Sequence, residues 1–183
     1  MKKLIVIAVV AVLVLTFSAG AVLAAKPDTA GPAAKATGGV GYYEGIADTG
    51  IFLVHDTFVA QATGDGCGRG NIQQWTTSDP AGDRMQRYDV EYMNVQDNIA
   101  WIAAQCTYDS AGEHKGQWFV VKVIDVGEPG ANKDRIGWEL CSNEGAAAAM
   151  VNSGSFDQQM RTIDIGNLQV HHGYDDGGQP QPQ

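Results

Sequence analysis

The sequence predicts an all-β protein, an antiparallel meander that closes into a β-barrel, with a β-sandwich as the alternative. Apolar and polar residues alternate with a period of two in several segments of strand length, which is typical of half-buried strands. These segments recur at intervals of about a dozen residues, separated by Gly, Asp, Asn and Ser. Because the links are short and sequential, the pattern favours a barrel over a sandwich.

The N-terminus has the layout of a secretory signal. Two lysines precede an apolar run over residues 4–17, and residues 22–24 suit the positions that a signal peptidase reads. We therefore expect cleavage after Ala24 and a secreted or cell-surface protein. The alternative is an uncleaved anchor, since the segment 4–25 approaches the roughly 20 residues that span a bilayer.

The remainder of the chain divides into a linker, one domain and a tail. Residues 25–36 are rich in Ala, Gly and Pro without periodicity, which predicts a flexible linker. Residues 173–183 form a polar tail with two prolines. Between them, residues 37–172 are long enough for a single domain with its own core.

The charge of the chain excludes one class of partner. The full sequence carries a net charge of −9, and the signal holds two of the 12 basic residues and none of the 21 acidic ones, so the mature chain carries −11. Such a chain repels phosphate backbones, and no cluster of Lys or Arg offsets the repulsion. Nucleic acid is therefore not an expected partner.

The strands in the middle of the chain show the alternation most clearly. In the segment "RYDVEYMNV", Tyr88, Val90 and Tyr92 share one face. The dipeptide Asp97-Asn98 follows as a tight turn, because Asn tolerates the positive φ that such turns need. The inner faces predicted for the next two strands are Ala100, Ile102, Ala104 and Cys106, and then Phe119, Val121 and Val123.

Further strands are predicted on both sides of this region. They are "GIFLVHDTFVAQ" and "GRGNIQQW" before it, and "DRIGWEL" and "TIDIGNLQVH" after it. Only the segment 144–150, "EGAAAAM", has helical character, and it is expected to form one or two turns at most. The protein therefore has at most one short helix.

Four segments resemble a group of small secreted β domains in prokaryotic surface proteins. They are "GRGNIQQW", "VQDNIAWIAAQC", "WFVVKVIDVGEPGANKDRIGWEL" and "IGNLQVH". The resemblance is specific in the Asp-x-Gly-Glu-Pro-Gly hairpin and in the last strand, Gly-Asn-Leu-Gln-Val-His. It implies an extracellular module but no reaction, so no catalytic residue is carried over. The sequence departs from the group at Gln74, where an aromatic residue is common, and in the additional thiols Cys67 and Cys141.

The hairpin loop holds the most conspicuous group of carboxylates. Asp125, Glu128 and Asp134 lie within ten residues of each other, and Ca²⁺ prefers such oxygen ligands. The spacing differs from that of an EF-hand loop, however, and Pro129-Gly130 is sufficient as turn chemistry. We expect a β-hairpin whose aspartates bond to backbone N–H groups, with a Ca²⁺ site as the alternative and no other cofactor.

The three cysteines of the mature chain are candidates for one disulfide. Thiols outside the cell tend to pair, and an odd number leaves one free. Cys106 with Cys141, and Cys67 with Cys141, are both possible pairs from the sequence. The alternative is a buried free thiol at Cys106, which lies on the predicted inner face of its strand.

Two tryptophans are candidates for a binding surface. Trp101 and Trp118 alternate with the predicted inner faces of their strands, so both indoles are expected to point outward. Exposed aromatic side chains on a sheet can stack on sugars or pack against another protein. The alternative is that both faces of the sheet are partly covered.

These observations predict a secreted, non-catalytic module that binds a protein or glycan partner. A lipocalin-like barrel holding a small ligand is the first alternative, and a large internal cavity would favour it. A hydrolase or isomerase that uses the barrel mouth is the second, and a buried carboxylate beside a histidine would favour that one.

Overall fold

The computed structural model describes residues 33–46, 50–77 and 82–173, which contain nine strands and one helix. The strands are β1 (Lys35–Ile46), β2 (Gly50–Gly64), β3 (Cys67–Thr77), β4 (Arg84–Gln96), β5 (Ile99–Asp109), β6 (Trp118–Ile124), β7 (Arg135–Cys141), β8 (Arg161–Thr162) and β9 (Ile165–His171). The helix α1 (Glu144–Ser153) lies between β7 and β8 in sequence. The prediction of an all-β protein with one short helix is confirmed.

The predictions for the two ends fall mainly outside this part of the chain. The signal, residues 25–32 of the linker and the tail from residue 174 are not among the described residues. The last two residues of the predicted linker belong to the sheet instead, because β1 begins at Lys35 and Ala36 is fully buried. The four glycines of β1 conceal the strand, since glycine is depleted in strands. In the described ranges, no helix is both long and apolar enough to cross a membrane.

All nine strands belong to one antiparallel sheet. Each strand from β1 to β7 pairs with the next one along the chain, and β9 returns to pair with β1. The predicted meander is therefore confirmed, and the sandwich is wrong because no second sheet forms among the described strands. The closed barrel is not confirmed: the sheet curls into an open half-barrel with β8 and β9 at its two edges.

The concave face of the sheet carries the main hydrophobic core. The inner positions predicted for β5 and β6 are all buried in one cluster, together with Ile72 of β3 and Tyr88 of β4. Tyr88 also contacts Phe119 and Trp138, with ring centroids 5.5 and 5.0 Å away. Bulky side chains therefore fill much of the interior, as the period-two alternation predicts.

A β-bulge corrects one of the predicted inner positions. Val90 pairs with Ala104, but Tyr92 pairs with Ala103, so Glu91 is an extra residue on β4. An extra residue reverses the alternation beyond it. Tyr92 therefore lies on the convex face, and its place in the core is taken by Met93, which is 1 % exposed.

The helix α1 covers part of the convex face. The Asn143 side chain accepts a hydrogen bond from Ala146 N and caps the start of the helix, and Gly154, with a φ of 68°, ends it. The helix reaches Ser153, beyond the predicted end at 150, because no residue before Gly154 interrupts it. Ala147 and Val151 pack with Trp101 in a second cluster.

Burial beneath α1 overturns Trp101 as a surface-binding candidate. Its side chain is only 5 % exposed, and the Lys122 ammonium lies 5.1 Å from its ring centroid. Trp118 is half-buried and packs 6.2 Å from Tyr92, centroid to centroid. The alternative, that both faces of the sheet are partly covered, is the one the structure supports.

Candidate functional site

The β6–β7 hairpin forms as predicted, and its carboxylates are bonded to backbone N–H groups. Asp125 Oδ1 accepts a hydrogen bond from Gly127 N at 2.8 Å, and Asp134 Oδ1 accepts one from Val126 N at 2.9 Å. These bonds hold the loop from within. They are the side-chain-to-backbone bonds expected of aspartates at a turn.

The second oxygens of the same aspartates bind the free edge of β9. Asp125 Oδ2 accepts a hydrogen bond from Val170 N at 3.0 Å, and Asp134 Oδ2 accepts one from Leu168 N at 3.2 Å. An edge strand otherwise presents unpaired N–H groups. The two carboxylates therefore take the place of a neighbouring strand and fasten one edge of the half-barrel to the β6–β7 loop.

Glu128 extends this attachment through side chains. Its Oε1 accepts hydrogen bonds from Asn167 Nδ2 at 2.6 Å and from Gln169 Nε2 at 3.2 Å. Gly130 lies buried against the group, and a Cβ added there would collide with Asp134 and Asn167. Asp125, Glu128, Asp134 and the β9 groups that they bind are called the carboxylate clasp below.

The clasp residues are not gathered around one point. Among residues 33–46, 50–77 and 82–173, no group of three or more His, Cys, Asp or Glu side chains is arranged to hold a metal ion. Four carboxylate oxygens of Asp125 and Asp134 already accept N–H groups. The Ca²⁺ site stays a prediction, which thermal melting with calcium and with a chelator can test.

The cysteines are all free thiols in the structure. Cys67 is exposed, whereas Cys106 and Cys141 are buried. Cys106 lies in the core on the concave face, and Cys141 lies in the cluster beneath α1 on the convex face. Because the sheet separates them, the structure does not bring Cys106 and Cys141 together, and Cys67 and Cys141, the other possible pair, are not bonded either.

A cavity lies at one end of the half-barrel and is called the mouth cavity. It has a volume of about 310 Å³. Its walls come from β1, β3, β4, β6, β7 and β8, with the β5–β6 loop and the segment after α1 at the rim. The lining residues are Tyr42, Glu44, Gln74, Gln86, Tyr88, His114, Phe119, Gly137, Trp138, Gln158, Gln159 and Arg161. Aromatic rings and carboxamides thus dominate the wall.

Asp56 lies fully buried directly behind this wall. It projects inward from β2, and its Oδ2 accepts hydrogen bonds from the Tyr42 hydroxyl and the Trp138 indole N–H, both at 3.1 Å. Its Oδ1 has no hydrogen-bond partner among the described residues. Gln74 is the residue opposite Asp56 in the β2–β3 ladder, but its amide does not reach hydrogen-bond geometry with Oδ1.

The surroundings of Asp56 favour its neutral form. Burial raises the pKa of the Asp56 carboxyl to about 7, although the nearby Gln74 amide and the hydrogen bonds from Trp138 and Tyr42 act in the opposite direction. The nearby Glu44 charge raises this pKa further. Burial together with the Asp56 charge also raises the pKa of the Tyr42 hydroxyl well above its ordinary value. A carboxyl that titrates near neutral pH therefore lies directly behind the wall.

Gln86 supplies a second unpartnered polar group. Its side chain is 4 % exposed and lines the mouth cavity, yet its Nε2 has no hydrogen-bond partner among the described residues. Most buried polar groups in proteins are hydrogen-bonded, to protein or to water. A buried donor on a cavity wall is therefore a group that a ligand or a water molecule must satisfy.

An ion pair beside Gln86 holds the rim in place. Arg84 donates to Asp109 Oδ1 at 3.0 Å and to Oδ2 at 2.5 Å, and the same carboxylate accepts from Ala111 N and His114 N. Burial alone would raise the pKa of Asp109, but these donors hold it well below its usual range. The anchored loop brings the His114 ring against Phe119, 5.4 Å between centroids.

The formal charges of the cavity lining offset one another. Arg161 Nη2 lies 3.6 Å from Glu44 Oε1 across the gap between β8 and β1. Both side chains are about one-third exposed, so the pair is screened by water and contributes little to stability. His114 is the only other ionisable side chain among the lining residues apart from the two tyrosines.

The mouth cavity is not among the sites predicted from the sequence, although one signal in the sequence points to it. In "GIFLVHDTFVAQ", the inward positions are Val54, Asp56, Phe58 and Ala60. An acidic residue at an inward position between apolar ones breaks the strand pattern. The same reasoning applies to Gln86, which shares a face with Tyr88 and Val90. Exceptions of this kind are expected at functional sites.

Comparisons with protein-family models, with curated proteins and with solved structures gave no significant match. The site is therefore interpreted from its geometry and chemistry alone.

Proposed function

We propose that this protein is a non-catalytic module at the surface of a prokaryotic cell, and that it binds a glycan by taking a sugar ring into the mouth cavity. The observation that carries the proposal is the buried Gln86 amide, whose Nε2 donor is unpartnered on the cavity wall. A sugar hydroxyl accepts from such a donor and donates to a neighbouring acceptor. One hydroxyl can therefore satisfy groups of both kinds.

The composition of the wall suits a sugar. Three further carboxamides, from Gln74, Gln158 and Gln159, line the cavity and can each donate and accept hydrogen bonds. Tyr88, Phe119 and Trp138 form an aromatic cluster that supplies apolar surface for the C–H face of the ring. Apolar surface with a few directed polar groups is the usual composition of small-molecule sites.

Charge and size narrow the ligand further. The Glu44–Arg161 pair leaves the lining without a large net charge, which favours a neutral sugar over an acidic one. A volume of about 310 Å³ lies at the lower end of the range of about 300–1,000 Å³ for ligand pockets. The cavity thus suits one sugar ring, such as the end of a glycan chain, better than a whole lipid or cofactor.

The proposal is tested by titrating the protein with a panel of neutral disaccharides: cellobiose, lactose, maltose and chitobiose. We expect at least one to bind, with tryptophan fluorescence and saturation-transfer NMR as readouts. Gln86→Leu should weaken its binding about tenfold or more, the cost of about 1.4 kcal/mol for a lost hydrogen bond. The matched control is Gln73→Leu, because Gln73 is an exposed glutamine on the convex face of β3. Equal binding by both variants would contradict the assignment of the site.

A second proposal, a hydrolase or isomerase acting at the mouth, is favoured by one observation. Asp56, directly behind the cavity wall, is a buried carboxyl with a pKa of about 7, and His114 is one of the residues that line the cavity. A carboxyl that is half-protonated near neutral pH suits general acid–base chemistry. Product formation from the bound disaccharide, followed by NMR over days, would favour this proposal, and an unchanged sugar favours the binding module.

A further inference from the structure

We propose that Asp56 is a positioning residue for the mouth cavity: it holds the Tyr42 hydroxyl and the Trp138 indole in their binding positions. When Asp56 ionises, the affinity of the cavity for its ligand decreases. The part about the ligand rests on the proposed function, because the ligand concerned is the sugar. The part about position concerns the protein alone.

The hydrogen bonds of Asp56 connect two distant parts of the sheet. Tyr42 lies on β1 and Trp138 on β7, and these strands are six places apart in the order of the sheet. One oxygen, Oδ2, accepts from both side chains at 3.1 Å. Asp56 therefore ties together the two sides of the concave face where both contribute to the cavity wall.

The arrangement at Oδ2 also indicates where a proton resides. Because Oδ2 already accepts two hydrogen bonds, a proton on the neutral acid lies on Oδ1, which has no partner among the described residues. Loss of that proton leaves a buried anion. A buried charge without a cationic partner is strongly disfavoured and draws water or donors toward itself.

None of the groups facing Asp56 carries a positive charge that would compensate the anion. Tyr42 and Glu44 face it from β1 and Tyr88 faces it from β4, while Gln74 of β3 and Trp138 of β7 are uncharged. At the rim, Arg161 of β8 is paired with Glu44, and the His114 ring packs edge to face against Phe119. Among the described residues, Asp56 takes part in no ion pair.

The direction of the effect on binding follows from linkage. A sugar that fills the cavity excludes water from its wall and makes the anionic form of Asp56 still less favourable. By reciprocity, the anionic form binds the sugar more weakly than the neutral form does. Since the pKa of Asp56 is about 7, affinity should fall as the pH rises through the neutral range. We expect a fall of about fivefold or more, the lower end of ordinary coupling between sites.

The experiment measures disaccharide affinity for the full chain between about pH 5 and about pH 9, on both sides of this pKa. Asp56→Asn keeps an oxygen that can accept from Tyr42 and Trp138 but does not titrate, so its affinity should stay at the low-pH value of the wild type. Asp56→Leu removes the acceptor and should bind weakly at every pH. His114→Gln should retain the fall with pH. A fall that persists in Asp56→Asn would overturn the proposal.

A ligand-free readout separates this inference from the proposed function. The indole N–H resonance of Trp138 is followed by NMR over the same pH range in the wild type and in Asp56→Asn. We expect it to titrate in the wild type only. If no disaccharide binds, the proposed function fails while this titration still supports the positioning role. If the chemical shift of the Trp138 indole N–H does not change with pH, the positioning role is overturned, whether or not a disaccharide binds.

Discussion

The carboxylate clasp and the wall of the mouth cavity each have a buried acidic residue, but the carboxyl oxygens of the two residues differ in their hydrogen bonding. Asp134 is fully buried, and each of its two oxygens accepts a backbone N–H. Asp56 is equally buried, but one oxygen accepts two side-chain donors and the other accepts none. The clasp is complete by itself, whereas the cavity wall is not.

This difference separates structural from functional acidic residues. A buried carboxylate with all its oxygens bonded to the backbone stabilises the fold, because its donors have no other partner. A buried carboxyl with an open oxygen costs stability in the free protein, and so does a buried amide with an open donor. Such a cost is retained where a ligand or a reaction makes use of it.

The largest expected effect is the pH dependence of stability caused by Asp56. Its pKa is about 7 in the folded chain, against an ordinary value of 3.8, so the folded state holds the proton more tightly. The protonated Asp56 makes its full contribution to the free energy of unfolding below about pH 4, and this contribution is lost as the pH rises to about 7. At about 1.4 kcal/mol per pH unit, the loss amounts to up to about 4 kcal/mol.

Urea unfolding of the wild type and of Asp56→Asn at a series of pH values measures this effect. The difference in unfolding free energy between the two proteins should grow in favour of the variant from pH 4 to pH 7 and then level off. If the difference in unfolding free energy is constant over this range, the Asp56 carboxyl is as well hydrogen-bonded as the clasp aspartates. That result would contradict the contrast between the two regions.

Removal of a clasp carboxylate should give the next largest effect. Asp134→Ala leaves the buried Leu168 N and the partly buried Val126 N without their acceptor. We expect a loss of about 3 kcal/mol in unfolding free energy, at about 1–3 kcal/mol for each buried unsatisfied donor. The matched control is Asp89→Ala, since Asp89 is an exposed aspartate on the convex face of β4. Equal small losses in both variants would show that β9 is held by other contacts.

A smaller effect is expected for Asp125→Asn, which keeps one carbonyl oxygen as an acceptor. The loss should be about 1 kcal/mol, because one of two charge-assisted bonds is weakened. Thermal melting with calcium and with a chelator distinguishes the two interpretations of this loop. A clasp predicts the same melting temperature in both buffers. A calcium site predicts a rise with calcium that Asp125→Asn abolishes.

Local patterns in the sequence predict most of the fold. The alternation in β5 and β6 gives the correct core faces, and the β6–β7 hairpin lies where Pro129 and the glycines place it. The failures arise where an element is decided by distant partners. The four glycines of β1 obscure its strand pattern. The two edge strands, β8 and β9, do not pair with each other, as a closed barrel requires. A bulge opposite Ala103 moves Tyr92 to the other face of the sheet.

The candidate site is less predictable for the same reason. Asp125, Glu128 and Asp134 stand out because they are close in sequence, but their partners on β9 are more than thirty residues away. The cavity brings together side chains from β1 to β8, and no local window contains more than a few of them. Trp101 is covered by α1, a contact that alternation along β5 cannot reveal.

The central claim is that the cavity wall keeps polar groups that the fold itself does not need. The stability of Gln86→Leu tests this claim most directly, because leucine is similar in size and removes the unpartnered Nε2 donor. The account predicts an unfolding free energy equal to that of the wild type or about 1 kcal/mol higher, since replacing an unsatisfied buried amide by an apolar group relieves its desolvation cost. A decrease of about 1 kcal/mol or more would show that the amide is already satisfied in the folded chain, and would contradict the account.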